Sequence, residues 1–216
     1  MPLARRIVIE QEGRAGGRFE AHAELSYAGQ LVGAGGGALV EPHARRVVRR
    51  RLEDERAAAL ELRELGGHLE RPWAVPGPRL RELIERGAAA GWDVWYGKSA
   101  LRGTAVVSAD VTSGIDWFDV QLTLADDGAT ATFPELLAAL RSGRPVVRLS
   151  DGTTAMIPSW LEARAAAFGS APQVDGAVRF RPAEVLMVAA LLDRVPDARV
   201  DAGFARLRDR LESFAG

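Results

Sequence analysis

The stretch Ser113-Gly114-Ile115-Asp116-Trp117-Phe118-Asp119-Val120 runs without a break into Val120-Gln121-Leu122-Thr123-Leu124. Phe118, Val120, Leu122 and Leu124 alternate with the period of two that one face of a half-buried strand requires. A strand is therefore expected over residues 115–125, with another before it at 104–111, and Trp117 or Phe118 should be buried together with Leu122. Downstream, Thr132-Phe133-Pro134-Glu135 has the spacing of a capping box, in which Thr132 caps and Glu135 reaches back. It should open a short helix over 133–141 that buries Leu136, Leu137 and Leu140. Asp151-Gly152 then separates Pro145–Ser150 from Thr153–Ile157. Aspartate-glycine tolerates the positive φ of a tight turn, so the two flanks read as a hairpin. These elements place the chain in the α+β class.

Upstream, residues 3–10 and 18–25 read as strands separated by the turn-forming segment Glu12–Gly17, and a third strand is expected at 30–34. They make a small antiparallel sheet. A long helix is expected from about Pro42 to Gly66-Gly67, which would stop it. Arg71-Pro72-Trp73-Ala74-Val75-Pro76-Gly77-Pro78 carries three prolines that continue neither helix nor strand, so it is the candidate boundary. The division expected is a β-rich module with a long helix over residues 1–75 and a second α+β domain over 76–216. The second begins with a helix that aligns Leu80, Leu83, Ile84 and Ala88, followed by a strand at 92–96. Further helices are expected at 159–168, 182–193 and 202–214. In the last of these Phe204, Leu207, Leu211 and Phe214 share a face, leaving Arg206, Arg208 and Arg210 on others.

The chain has 216 residues, of which 47% are hydrophobic and none is cysteine. That length can bury a real core in one large domain or two small ones. The longest apolar run, Val185–Leu192, falls far short of the roughly 20 residues a membrane span needs, so no membrane partner is expected. The lack of cysteine excludes disulfides and thiolate metal sites and fits a reducing cytoplasm. Net charge is −1, which argues against a dedicated nucleic-acid binder. Residues 1–108 hold 17 basic and 14 acidic groups, and 109–216 hold 11 and 15, so neither half is basic enough to suggest one either.

Five features invite a chemical reading. Gly91-Trp92-Asp93-Val94-Trp95-Tyr96-Gly97-Lys98-Ser99 approaches a phosphate-binding loop, but five residues separate its glycines where the motif has four. Its bulky insert suits a strand better than a cradle of converging amides. Gly33-Ala34-Gly35-Gly36-Gly37 misses the spacing of a dinucleotide loop and reads as a flexible loop or bulge. Asp116 and Asp119, three apart on a strand, would point to opposite faces. Asp116 then shares the core face with Phe118 and needs a partner if buried. His22, His43 and His68 show no metal spacing. The run Arg45-Arg46-Val47-Val48-Arg49-Arg50-Arg51 could touch nucleic acid, since Arg45/Arg49 and Arg46/Arg50 form adjacent rows at helical spacing. Glu53, Asp54 and Glu55 follow at once, so a salt-bridged, solvated helix is the competing reading.

The order Ser113–Val120, then Glu135-Leu136-Leu137-Ala138-Ala139-Leu140-Arg141-Ser142-Gly143, then Val147–Gly152, then Ile157-Pro158-Ser159-Trp160-Leu161 resembles a particular region. It is the helicase-associated region that precedes the motor in bacterial Swi/Snf-family helicase-like ATPases. The likeness is strongest over residues 113–161 and looser to about 214. It implies that residues 76–216 form the helicase-associated domain and that Ser113, Gly114, Asp116, Trp117, Phe118, Asp119, Asp151 and Gly152 are family-motif residues with a structural role. It further implies an accessory, non-catalytic part of a DNA translocase. No cofactor would bind this chain, because ATP and Mg belong to the attached motor, whose Walker A loop and acidic box do not occur in residues 1–216. The partners implied are that motor and, through the parent protein, double-stranded DNA. Arg206 and Arg210 would face the motor. Two readings stay open beside it: a self-standing protein-interaction or scaffold domain without a nucleic-acid role, and an enzyme with dispersed active-site residues.

Overall fold

The computed structural model describes residues 2–11, 18–32, 39–41, 46–103, 105–168 and 171–215. It is α+β, with 35% helix and mixed sheets holding 37% of the chain. It divides into two compact units, Met1–Gly103 and Thr104–Gly216. The proline-rich segment expected as the boundary runs inside the first unit instead. Proline is tolerated at a strand edge and in the first turn of a helix, and this segment supplies both.

In the first unit, β1 (Leu3–Gln11) pairs antiparallel with β2 (Arg18–Tyr27), in register from Leu3 opposite Tyr27 to Gln11 opposite Phe19. The short β3 (Gln30–Leu31) continues the sheet beyond β2. β4 (Leu39–Glu41) and β5 (Arg46–Val48) form an antiparallel pair of their own. The helix expected from Pro42 therefore begins only at α1 (Leu52–Glu64). β-branched Val47 and Val48 suit a strand. Glu53, Asp54 and Glu55 fill the first turn of α1, where negative charge complements the helix dipole. β6 (Trp73–Pro76) pairs with the Arg18–Ala21 end of β2, and α2 (Gly77–Ala89) follows without a break. β7 (Asp93–Tyr96) lies parallel to β1, and β8 (Ser99–Arg102) returns antiparallel to it. Ile7, Ile9, Leu62, Leu80, Ile84 and Val94 are buried between sheet and helices. Gly87 permits the close approach of α2: a Cβ there would lie 3.3 Å from Ile7.

The second unit is built on the hairpin of β9 (Val106–Ser113) and β10 (Phe118–Asp126), paired from Ser113 opposite Phe118 to Val106 opposite Ala125. Phe118, Val120, Leu122 and Leu124 are buried, as their alternation requires. The other residues of β10 face away from the core, as in an antiparallel sheet covered on one side. β11 (Ala129–Thr132) pairs with the far end of β10 and leads straight into α3 (Phe133–Arg141). Thr132 and Glu135 form the expected capping box. β12 (Val146–Arg148) and β13 (Thr154–Met156) form the expected hairpin across Asp151-Gly152.

The helix expected over 159–168 is two short pieces, α4 (Ser159–Glu162) and α5 (Ala165–Phe168). Between them the chain tightens, and the Arg164 amide bonds to the Leu161 carbonyl three residues back. β14 (Gln173–Val174) and β15 (Ala177–Phe180) add to the sheet beside β10. A single 3₁₀ turn precedes α6 (Val185–Leu192). β16 (Asp197–Val200) then runs parallel to β9, and α7 (Ala202–Ala215) closes the unit. Phe118, Phe133, Phe168, Phe180 and Phe204 meet in the core at centroid distances of 5.1–5.9 Å.

Candidate functional site

Six of the eight family-motif residues lie at the turn between β9 and β10. Gly114 donates its amide to the Trp117 carbonyl at 2.7 Å, which closes the turn. The indole of Trp117 folds back over Gly114 so tightly that a Cβ there would sit 2.3 Å from the ring. Only glycine fits. The guanidinium of Arg179 lies over the Trp117 ring, 3.8 Å from its centroid. Arg179 stands opposite Asp119 in the β10–β15 register and donates to both carboxylate oxygens at 2.8 Å. Bidentate geometry and an aromatic face are the two contacts a planar guanidinium makes best. The hydrogen bonds to Asp119 hold the Arg179 pKa above its already high ordinary value.

Asp201, at the start of α7, closes the cluster from the other side. Its carboxylate accepts the Ser113 amide at 2.6 Å, the Ser113 hydroxyl at 2.8 Å and the Phe204 amide at 2.8 Å. Burial pushes the Asp201 carboxyl up, but hydrogen bonds from Phe204, Ser113 and Gly203 outweigh it, and the net shift is downward. Both carboxylates of the cluster are thus engaged as acceptors, and what they hold is the junction of hairpin, sheet and last helix. Ser113, Gly114, Trp117, Phe118 and Asp119 are all part of it.

Asp116 is not. The expectation that it shares the core face with Phe118 is corrected: β10 begins only at Phe118, and Asp116 lies exposed in the turn. The turn lifts it off the strand, so no buried partner is needed. Beside it Ile115 is 96% exposed. Asp151 and Gly152 stand apart from this junction, in the β12–β13 turn. Gly152 takes φ +87°, and Asp151 Oδ1 accepts the Thr153 amide and hydroxyl at 2.9 and 2.6 Å.

The arginine run does not form the expected rows. Arg45 lies outside the described residues. Arg46 is in β5, and Arg49 and Arg50 are in neither helix nor strand. Arg50 and Glu55 are nearly buried, with side chains 10% and 11% exposed, and the guanidinium binds the carboxylate at 2.9 and 2.6 Å. Hydrogen bonding to Arg50 holds the Glu55 carboxyl low despite its burial. Arg51 is exposed and sits 3.8 Å from Asp54, and its backbone amide donates to the Tyr27 hydroxyl at 2.9 Å. Arg49 and Arg51 point to solvent, whereas Arg50 is committed to the fold.

The glycine–lysine segment is the β7–β8 hairpin, with Gly97 in the turn at φ +58°. The Gly97 amide donates to the Ile9 carbonyl at 2.8 Å, so it is not directed at an anion. His43 and the glycine run at 33–37 lie outside the described residues. Among the described residues, no group of three or more histidine and carboxylate side chains is gathered as a metal would require. Arg206 and Arg210 are both exposed on α7, while Arg208 pairs with Asp209 at 2.9 Å.

Sequence reasoning missed Asp201, Gly203 and Arg179. Asp201 carries a local signal, an aspartate immediately before a helical pattern. Arg179 carries none, because only strand pairing sets it opposite Asp119. Comparison of the chain with models of known protein families, with curated proteins and with solved structures finds no match in any of the three.

Proposed function

We propose that this chain is a non-catalytic accessory region of a bacterial Swi/Snf-type ATP-dependent DNA translocase, acting in the cytoplasm. What supports the reading is one observation. The segments Ser113–Val120, Glu135–Gly143, Val147–Gly152 and Ile157–Leu161 follow one another in the order that region has. In this reading the motif residues are scaffold, α7 leads toward the motor, and Arg206 and Arg210 face it. ATP and Mg belong to that motor, and any DNA contact by this region is a weak, salt-sensitive one through Arg49 and Arg51.

The test starts with the reading frame beyond codon 216, which should encode a Walker A loop and an acidic box. The protein spanning both regions should hydrolyse ATP with DNA stimulation, and deletion of residues 1–216 should change that rate without abolishing hydrolysis. The isolated chain should neither bind nor turn over ATP; turnover lost in Lys98→Ala would overturn the reading. So would a reading frame without motor motifs.

One observation favours a second reading, a self-standing protein-interaction domain. Ile115 is 96% exposed on a turn closed by the Gly114–Trp117 hydrogen bond, and a large apolar side chain left in water gains from burial against another protein. A stop codon directly after Gly216 would favour it.

A further inference from the structure

Asp201 accepts more hydrogen bonds than a helix cap uses. Capping α7 needs only the Phe204 amide, three residues on. The Ser113 amide and hydroxyl come from the end of another element, β9, and bind the same carboxylate at 2.6 and 2.8 Å. Gly203 extends this contact. A Cβ at that position would lie 2.8 Å from both the Cβ and the Oγ of Ser113, so glycine lets the first turn of α7 rest against the strand end. Phe204, buried, then meets Phe118 edge-on at 5.1 Å. Farther along the helix the hold weakens, because Leu207 and Leu211 are only partly buried against the core.

We infer that Asp201 is the positioning residue for α7: it fixes the direction of the helix by latching its first turn to Ser113. Ser113 is held in turn by the closed β9–β10 hairpin, whose Gly114–Trp117 turn is braced by Arg179 and Asp119. A line of direct contacts therefore runs from the exposed tip at Ile115 and Asp116 to the helix. The inference deepens the proposed function, in which α7 is the element that reaches the motor. Its test needs no motor and so stands apart from that reading.

The chain contains no cysteine, so Gln121→Cys and Arg210→Cys, both at exposed positions, give two unique sites for nitroxide labels. Pulsed electron paramagnetic resonance should show a single narrow distance in the parent. Ser113→Asp places a second carboxylate against Asp201 while leaving the cap residue in place, and Asp201→Ala removes the latch outright. Both should lose the narrow distance, while amide exchange at Val120 and Leu122 stays slow. If either variant loses that core protection, Asp201→Asn decides, since asparagine still caps but offers a single acceptor oxygen; it too should broaden the distance. A narrow distance retained in the folded variants would overturn the inference and assign the direction of α7 to the packing of Phe204, Leu207 and Leu211.

Discussion

The carboxylate of Asp201 takes both the amide and the hydroxyl of Ser113, joining residues 88 apart in sequence. The donors around Asp201 outweigh its burial and hold its pKa below the ordinary carboxylate range. A carboxyl whose folded pKa lies below its unfolded value, about 3.9, adds stability that is complete above that value. The contribution is lost as the pH falls through the folded pKa. Asp201→Asn should therefore be less stable than the parent at neutral pH, and the gap should close as the solution is acidified below about pH 4. Urea unfolding of both proteins over a descending pH series measures this. A gap that does not change with pH would mean that the charge of Asp201 adds nothing to the bonds it accepts.

Gly203 sets two effects against each other. Alanine is the better helix former by about 1 kcal/mol. Its Cβ, however, would meet Ser113 at 2.8 Å, a distance real Cβ contacts do not show. Overpacking of that kind costs roughly 1–3 kcal/mol, so Gly203→Ala should destabilise the second unit on balance. Denaturant unfolding followed by tryptophan fluorescence gives the sign directly. A stabilised variant would show that the first turn of α7 moves off Ser113 at little cost.

Signals that act over a few residues were legible. Thr132 and Glu135 form their capping box, Asp151-Gly152 turns its hairpin, and the Phe118–Leu124 alternation places those four side chains in the core. The failures lie where local preference is split or where partners are remote. Pro42 as a helix start and Gly66-Gly67 as its stop point to one long helix, but Val47 and Val48 pair as strand with Val40 and Leu39. Asp197-Ala198-Arg199-Val200 carries too little apolar character to read as a strand, and it forms one only because β9 offers it a parallel edge. The junction was half visible. Its motif residues stand together in sequence, while Arg179 and Asp201 arrive through pairing and helix packing that no spacing encodes.

The arginine run should separate into two behaviours. Arg50 binds Glu55 where both side chains are nearly buried. Reversing its charge leaves two carboxylates facing each other in a dehydrated place, the costly case for a broken pair. Arg50→Glu should lower the unfolding midpoint of the first unit. Arg49→Glu and Arg51→Glu, at exposed positions, should leave it unchanged and should abolish whatever salt-dependent DNA binding the chain has. Thermal unfolding and fluorescence anisotropy with duplex DNA over a salt series distinguish the two. Binding lost in Arg50→Glu alone, with its fold intact, would reverse the assignment.

Helix α7 offers the sharpest contrast between a side chain that holds the fold and side chains that face away from it. Phe204 is 1% exposed and stacks edge-on against Phe118. Truncating a buried phenylalanine removes its transfer energy and leaves a cavity, together costing roughly 3–5 kcal/mol. Phe204→Ala should therefore lower the stability of the second unit by about that amount and free α7. Arg206 and Arg210 are exposed on the same helix. Substitutions at such positions stay within about 0.5 kcal/mol, so Arg206→Glu/Arg210→Glu should unfold at the parent midpoint. In a protein carrying the proposed motor, the double reversal should instead change the DNA-stimulated ATPase rate, because the charge it inverts faces away from this fold. An unfolding midpoint lowered by the double reversal would place those arginines in the scaffold. An unchanged midpoint with an unchanged ATPase rate would leave α7 as a spacer.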